Sequence, residues 1–188
     1  MILIGLCGAA GCGKGSAAYR LVNAHGFREM AFADPLYAAV SAITGKTADW
    51  LKDRVHKERP IPWCGGKSPR ELLQLLGTEF GREMIHTDIW VMRAMRSVRE
   101  AENEGAAGVV ITDVRYDNEA AAIRAEGGFI VEVVRPGDGC LSDTAAKHAS
   151  EAGISREHIL ASIGNYGTLD DLAASVDAVI ESLHADIM

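Results

Sequence analysis

Five short apolar stretches, separated by helical patterns, recur along this chain of 188 residues. They predict strands at residues 2–7, 28–32, 109–112, 129–134 and 158–163. Parallel strands need long crossover connections, and helices usually supply them, so this alternation is typical of a parallel α/β sheet. The pattern therefore predicts an α/β fold.

Several helix ends are marked by residues that satisfy free backbone groups. The segment DPLYAAVSAITG predicts a helix with Asp34 as N-cap, Pro35 at the first helical position and Gly45 at its end. The pairs predicted to form capping boxes are Ser68 with Glu71 and Thr168 with Asp171.

The length predicts one domain, residues 1–188, whose alternating pattern is broken twice. Residues from about 35 to 105 are mainly helical where a single crossover helix would suffice, and they predict a helical lobe. Residues from about 135 to 157 are rich in Gly, Ser and Asp and predict a lid-like segment. Long excursions from an α/β core are often functional.

Composition narrows the class of protein. The net charge of −7 argues against a protein that coats nucleic acid or an anionic membrane, although local basic clusters can still bind small anions. The four cysteines form no C-x-x-C pair and show no zinc-like spacing, so we interpret them as reduced thiols of a cytoplasmic protein. No signal peptide is evident, and the apolar runs are too short to cross a bilayer.

The segment GAAGCGKGS lies between the first strand and a helix that is predicted to end at Gly26. It fits the phosphate-loop pattern G-x-x-x-x-G-K through Gly8, Gly13 and Lys14. Backbone N–H groups and the positive end of a helix dipole bind phosphates in such a turn, the lysine adds a charge, and the hydroxyl of Ser16 would bind Mg²⁺. The loop fits a kinase, a GTPase or an ATPase, but the guanine-reading motif N-K-x-D is not found.

Two further segments carry side chains that suit phosphates. Asp113 ends the third strand and Arg115 follows, where residues of an α/β sheet face the ligand crevice. Asp113 is predicted near a metal ion or its waters, with a turn carboxylate as the alternative, and Arg115 is predicted at phosphate oxygens, with a surface ion pair as the alternative. Arg70 and Gln74 lie four residues apart and therefore share one helical face. The arginine suits a phosphate and the glutamine amide suits a base edge, with a solvated helix face as the alternative.

A family resemblance covers residues 1 to about 175. The segments GAAGCGKGS, FADPLYAAV, SPRELLQLLGTEFGRE, ITDVRYDNEA, VVRPG and HASEAG resemble, in this order, the phage-type deoxynucleoside monophosphate kinases. The resemblance implies a P-loop kinase fold with a five-stranded, mainly parallel sheet, a helical acceptor lobe and a short lid. It also implies transfer of the γ-phosphate of ATP to a deoxynucleoside monophosphate (dNMP). This chain departs from the family's pattern at two places. It has Gly15 where some members have Asp, and the stretch ahead of SPRELLQ is shorter than in other members.

The resemblance also implies site residues. Those for ATP are Gly8, Gly11, Cys12, Gly13, Lys14, Gly15 and Ser16, with Asn165 and Gly167 bordering the adenine. Those for the monophosphate are Asp34, Arg70, Gln74, Gly77, Thr78 and Arg115. The residues implied to stabilise charge on the transferred group are Lys14, Arg115 and Arg135. Those implied to bind Mg²⁺ are Ser16 and Asp113. The lid-like segment contains Lys147, His148 and Glu151; His148 is not expected to act as a base, because the acceptor oxygen is already ionised.

The sequence thus predicts a cytoplasmic enzyme of phage or prophage type that uses ATP, Mg²⁺ and a dNMP. It predicts no polymeric nucleic acid or membrane as partner, and a homodimer is compatible with it. One alternative is another small-molecule P-loop kinase, such as a dephospho-coenzyme A kinase. The other is a regulatory protein that binds ATP without catalysis.

Overall fold

A computed structural model of the chain describes residues 1–135 and 154–187. Five strands form one parallel sheet in the order β2-β3-β1-β4-β5. Their bounds are β1 Ile2–Cys7, β2 Phe27–Met30, β3 Gly108–Ile111, β4 Phe129–Val134 and β5 Ile159–Gly164. The predicted α/β fold is confirmed. The largest difference is at β2, which ends two residues earlier than predicted, and β5 begins one residue later because His158 belongs to a 3₁₀ turn.

Helices connect these strands. Their bounds are α1 Lys14–His25, α2 Asp34–Thr44, α3 Ala48–Lys52, α4 Arg54–Lys57, α5 Pro69–Gln74, a π-helix Leu75–Ile85, α6 Ile89–Asn103, α7 Asp117–Ala125, a 3₁₀-helix Arg156–His158 and α8 Leu169–Ile187. Within the described ranges 1–135 and 154–187, no helix is long and apolar enough to span a membrane.

The helix ends follow the capping residues closely. Gly26 and Gly45 end α1 and α2 in the left-handed conformation, with φ of 69° and 68°. Ser68 and Glu71 form the predicted capping box, and the Asp171 carboxylate accepts hydrogen bonds from the N–H and hydroxyl of Thr168. The prediction that Asp34 is an N-cap is wrong. Ala33 occupies that position and Asp34 is the first helical residue, because helical dihedrals already begin at Ala33.

The hydrophobic core beneath the predicted phosphate loop is formed by β1, α1 and α8. All six residues of β1 are buried at the centre of the sheet. The small side chains of Ala17 and Ala18 let α1 pack closely, and they share the core with Leu172 and Ile180 of α8. The end of β1, where the loop starts, is therefore firmly anchored.

The chain forms two compact units. The first contains residues 1–31 and the described part of 95–188, and the second contains residues 32–94. The predicted organisation, one domain with a helical lobe at about 35–105 and a lid-like segment at about 135–157, stays a prediction. Most of the lid-like segment lies outside the described residues.

The second unit contains a π-helix that the sequence patterns did not predict. The helix that starts at Pro69 changes from α to π geometry at Leu75. The indole of Trp90 donates a hydrogen bond to the carbonyl of Gly77 (2.8 Å), and a Cβ on Gly81 would lie 2.4 Å from that ring. A side chain that bonds a helical carbonyl and packs against a glycine accounts for the wider turns.

Candidate active site

The phosphate loop, residues 8–16, has a backbone that only glycine adopts easily. Gly8, Gly11 and Gly13 have φ of 125°, 83° and 112°, outside the range favoured by L-residues. A Cβ on Gly8 would lie 2.3 Å from the Val133 carbonyl oxygen, so this glycine also lets the loop pack on β4. Glycine at these positions therefore sets the shape of the loop.

The first turn of α1 completes the loop. The N–H of Ala17 bonds the carbonyl of Gly13 (3.0 Å), which is the first bond of the helix. The preceding N–H groups, of residues 14–16, lie in the turn where a helix offers no carbonyl partner. A Cβ on Gly15 would meet nothing within 4 Å, so the structure has room for a side chain at this position. This turn has the donors and positive dipole that suit an anion.

The ammonium group of Lys14 lies against the same loop. Its Nζ donates hydrogen bonds to the carbonyls of Gly8 (2.7 Å) and Ala9 (2.8 Å). These carbonyls carry no net charge, so they hold the lysine in place without neutralising it. Together with the N–H groups of α1, this charge makes the loop suited to phosphate oxygens.

The side chain of Asn165 holds the loop from the neighbouring end of β5. Its Nδ2 donates to the Cys12 carbonyl (2.9 Å), and its own N–H donates to the Val134 carbonyl (2.7 Å). A Cβ on Gly13 would lie 2.5 Å from that Nδ2, so the contact also requires a glycine. The structure thus shows Asn165 against the loop backbone, and its expected place beside adenine stays a prediction.

The sheet brings the other predicted residues of the first unit to one edge. The loop, Asp113, Arg135 and Asn165 follow the carboxyl ends of β1, β3, β4 and β5, which are adjacent parallel strands. The N–H of Val114 donates to the Leu6 carbonyl of β1 (3.2 Å), which joins the Asp113 segment to the strand before the loop. This edge is where open α/β sheets bind ligands.

Asp113 and Arg115 flank a buried residue in the segment that follows β3. Val114 between them is buried, whereas Asp113 is half-buried and Arg115 is exposed. The segment therefore buries Val114 and leaves its two polar neighbours more accessible to solvent. Arg135 is exposed directly after β4.

The predicted monophosphate residues other than Arg115 belong to the second unit. Arg70 and Gln74 are both exposed on α5, and Nε of Arg70 lies 2.5 Å from the Glu58 carboxylate. Asp34 is likewise exposed and pairs with Lys52 at 3.6 Å. Gly77 and Thr78 lie in the π-helix, where Gly77 is buried against Leu36. The predictions for Lys147, His148 and Glu151 fall outside the described residues.

The thiol of Cys7, at the end of β1 beside the loop, is unreactive by environment. Cys7, Cys12 and Cys64 are free thiols, as predicted, and Cys140 lies outside the described residues. Burial, reinforced by the Glu132 carboxylate, raises the pKa of Cys7 to about 12. Its thiol therefore stays protonated at neutral pH, and a thiolate is the nucleophilic form.

Comparison with known proteins identifies the family. The profile of the deoxynucleotide monophosphate kinases matches residues 62–176. The chain belongs to the deoxynucleotide monophosphate kinase family. A member described as a deoxynucleotide monophosphate kinase, from Acanthamoeba polyphaga mimivirus, is 35% identical over 146 residues, which are 73% of this chain and 76% of that protein. The deoxynucleoside-5'-monophosphate kinase of Escherichia phage T5 is 27% identical and covers 84% of this chain and 87% of its own length.

Solved kinase structures share the fold of this family member. A dephospho-CoA kinase from Campylobacter jejuni superposes with a TM-score of 0.53 over 99% of this chain and 98% of its own. Its sequence identity is 14%, so the likeness shows the fold alone. The alternative of a dephospho-coenzyme A kinase is therefore not favoured, because the matches in sequence point to deoxynucleotide monophosphate kinases.

Two carboxylates that sequence analysis did not assign support this edge of the kinase fold. Glu119 is buried and accepts backbone N–H groups of the segment that follows Asp113. Asp117 accepts hydrogen bonds from the N–H (2.8 Å) and hydroxyl (2.7 Å) of Ser155, which hold the pKa of Asp117 below its usual value. Glu119 was visible in the sequence only as an acidic residue in the first turn of a helix. Asp117 and Ser155 are 38 positions apart, so no local sequence pattern predicts their contact.

Proposed function

We propose that this chain catalyses Mg²⁺-dependent, reversible transfer of the γ-phosphate of ATP to a deoxynucleoside monophosphate, ATP + dNMP = ADP + dNDP. The observation that carries the proposal is the phosphate loop, with its left-handed glycines and Lys14, in a chain of the deoxynucleotide monophosphate kinase family. ATP supplies the phosphoryl group, and the residues of this chain supply positioning and charge.

The loop residues are proposed to bind the ATP phosphates. The backbone of Gly11, Cys12 and Gly13 and the first turn of α1 would direct N–H groups at phosphate oxygens, and the Lys14 ammonium would exchange its carbonyl partners for them. The shape of the loop fits this role, and it depends on glycine, since side chains at Gly8 and Gly13 would collide with β4 and with Asn165 and displace the loop. Ser16 and Asp113 are the proposed Mg²⁺ residues, because oxygen ligands suit this ion.

The acceptor is proposed to bind through the second unit. Arg70 offers a guanidinium fork for the monophosphate, and Gln74 offers an amide for the base edge, both exposed on α5. Glu58 would release Arg70 when a phosphate binds, since the exposed ion pair is worth about 0–1 kcal/mol. Arg115 and Arg135 are proposed to stabilise charge on the transferred group.

The proposal also covers the setting of the enzyme. The net charge of −7 supports small nucleotides rather than polymeric nucleic acid or membranes as partners. The viral relatives support a phage or prophage origin, and the free thiols support the cytoplasm. A homodimer remains part of the proposal that light scattering would test.

An acceptor screen tests the function. Purified protein, ATP and Mg²⁺ are incubated with each of the four dNMPs, each of the four NMPs and dephospho-coenzyme A, and ADP and the products are separated by ion exchange. We expect a diphosphate product from at least one dNMP and its loss on chelation of Mg²⁺. Turnover with dephospho-coenzyme A alone, or ATP binding without acceptor-dependent turnover, would refute the proposal.

The Lys14→Ala variant tests the loop within the same assay. Removal of one preorganised charge from the transferring group should lower kcat by at least ~10²-fold. Thermal unfolding should be little changed, because Lys14 bonds only loop carbonyls and the thiol of Cys12 among the residues described. Near-normal activity in the folded variant would contradict the assignment.

A further inference from the structure

The carboxylate of Glu119 is buried at the start of α7 and is directed at the backbone of the Arg115 segment. The residue is 3% exposed. Its Oε2 accepts the N–H groups of Arg115 (2.8 Å) and Tyr116 (3.1 Å). A buried carboxylate is costly unless hydrogen bonds compensate it, and two N–H donors converge on this single oxygen.

Other backbone contacts hold the part of this segment that precedes Arg115. The N–H of Thr112 donates to the Met30 carbonyl (3.0 Å) and that of Val114 to the Leu6 carbonyl (3.2 Å). Val114 itself is buried, and its Cγ2 would lie 2.9 Å from a Cβ on Gly5. These bonds fix the segment up to Val114, and the Glu119 carboxylate is the contact that fixes the backbone at Arg115.

We propose that Glu119 is a positioning residue for phosphoryl transfer, acting through the backbone N–H of Arg115. The inference rests on the proposed function. The guanidinium of Arg115 is carried on a long, exposed side chain, so its location depends on where its backbone is held. Loss of the carboxylate leaves the N–H groups of Arg115 and Tyr116 without this acceptor, so the backbone at Arg115 is held less firmly. A misplacement of about 1 Å at a reacting centre costs up to about 10²-fold in rate.

The first test compares Glu119→Gln and Glu119→Ala with a matched control. Glu126→Gln makes the same change at the other end of α7, where the carboxylate pairs with Arg99 on the surface. We expect kcat to fall about 10- to 100-fold in Glu119→Ala, with the KM for ATP changed less than about threefold. Glu119→Gln should keep a larger share of kcat, since an amide oxygen still accepts N–H bonds, and Glu126→Gln should match the wild type.

A double-mutant cycle separates positioning from general stability. In an Arg115→Ala background, assayed at high enzyme concentration, the position of the segment no longer matters to the transferred group. Glu119→Ala should then lower kcat no further than about twofold, whereas a purely structural effect would lower it by the same factor in both backgrounds. Equal factors, or an unchanged kcat in Glu119→Ala, would overturn the proposal.

A measurement without turnover distinguishes this proposal from the proposed function. Amide hydrogen exchange of residues 115 and 116 should be slow in the wild type and at least about tenfold faster in Glu119→Ala. In Glu119→Gln, whose amide oxygen is a weaker acceptor than a carboxylate, exchange should rise by a smaller factor, and this variant serves if Glu119→Ala does not fold. Unchanged exchange would overturn the positioning role while leaving the kinase activity standing. Wild-type protein that shows protected amides but no dNMP-dependent turnover would refute the proposed function and, with it, this role of Glu119.

Discussion

The Asn165→Asp substitution tests how strongly the end of β5 holds the phosphate loop. In the wild type, Nδ2 of Asn165 donates to the Cys12 carbonyl at 2.9 Å. A carboxylate at this position cannot donate a hydrogen bond, so its oxygen would face the Cys12 carbonyl oxygen without a proton between them. It also adds a negative charge beside the residues proposed to bind phosphates.

The expected magnitude follows from that contact. Loss of the hydrogen bond costs about 1 kcal/mol, and an unpaired carbonyl in a half-buried place costs about 1–2 kcal/mol more. For a chain of this size, a loss of about 2–3 kcal/mol lowers Tm by roughly 4–12 °C. The added charge should raise the Kd for ATP at least about tenfold, which corresponds to about 1.4 kcal/mol of binding free energy.

Differential scanning fluorimetry and calorimetric titration measure the two effects. Asn23→Asp is the matched control, because Nδ2 of Asn23 also donates to a backbone carbonyl, that of Tyr19 (2.8 Å), but on the exposed side of α1. Titration with pyrophosphate distinguishes the two roles of Asn165. If Asn165 holds the loop in place, the variant should bind both pyrophosphate and ATP more weakly. If Asn165 contacts only adenine, the variant should bind ATP more weakly and pyrophosphate as tightly as the wild type does.

Two outcomes would refute the reasoning on Asn165. If Asn165→Asp resembles Asn23→Asp in both Tm and ATP affinity, the amide does not hold the loop. If pyrophosphate binds as tightly to the variant as to the wild type, the 2.9 Å contact with Cys12 has no bearing on phosphate binding.

Three further substitutions test other parts of the structure. Arg115→Lys keeps the charge but loses the planar fork, so steady-state kinetics should show a fall in kcat that exceeds any rise in either KM, and an unchanged kcat would leave Arg115 as a surface residue. Arg70→Ala should raise the KM for the monophosphate and leave ATP affinity unchanged; titration showing the reverse would mean that the two sites are exchanged. Asp177 pairs with Arg20 (2.6 Å) and His25 (2.8 Å), and the Arg20 guanidinium, with His25, lowers the pKa of Asp177 from 3.8 to about 2. A carboxyl group whose pKa is lowered by folding stabilises the folded state at pH values above its pKa in the unfolded chain. Asp177→Asn should therefore lower the free energy of unfolding by about 1 kcal/mol at pH 7, discounted for solvent screening. In urea unfolding, the difference in this free energy between variant and wild type should shrink as pH falls from about 4 towards 2. A constant difference across that range would contradict the assignment.

The parts of the fold that depend on local chemistry were predictable from the sequence. A continuous apolar run predicts β1 to the residue, because a central parallel strand is buried on both faces. Gly26 ends α1 because it adopts a left-handed backbone, and the Ser68–Glu71 box starts α5 because both partners lie within one turn. The phosphate loop belongs to this group, since its function lies in a backbone shape that the glycines encode.

Contacts between residues far apart in sequence were decided by the tertiary structure. The π-helix depends on Trp90, thirteen residues beyond the Gly77 carbonyl that it bonds. Asn165 contacts Cys12 across 153 residues because the sheet order sets β5 near the loop, and no spacing rule encodes that order. Glu119 lies close in sequence to Arg115, but only the buried position of its carboxylate shows that it holds that backbone. Local rules determine which backbone shapes a segment favours, whereas strand order and packing determine which distant groups meet, because those depend on the whole chain at once.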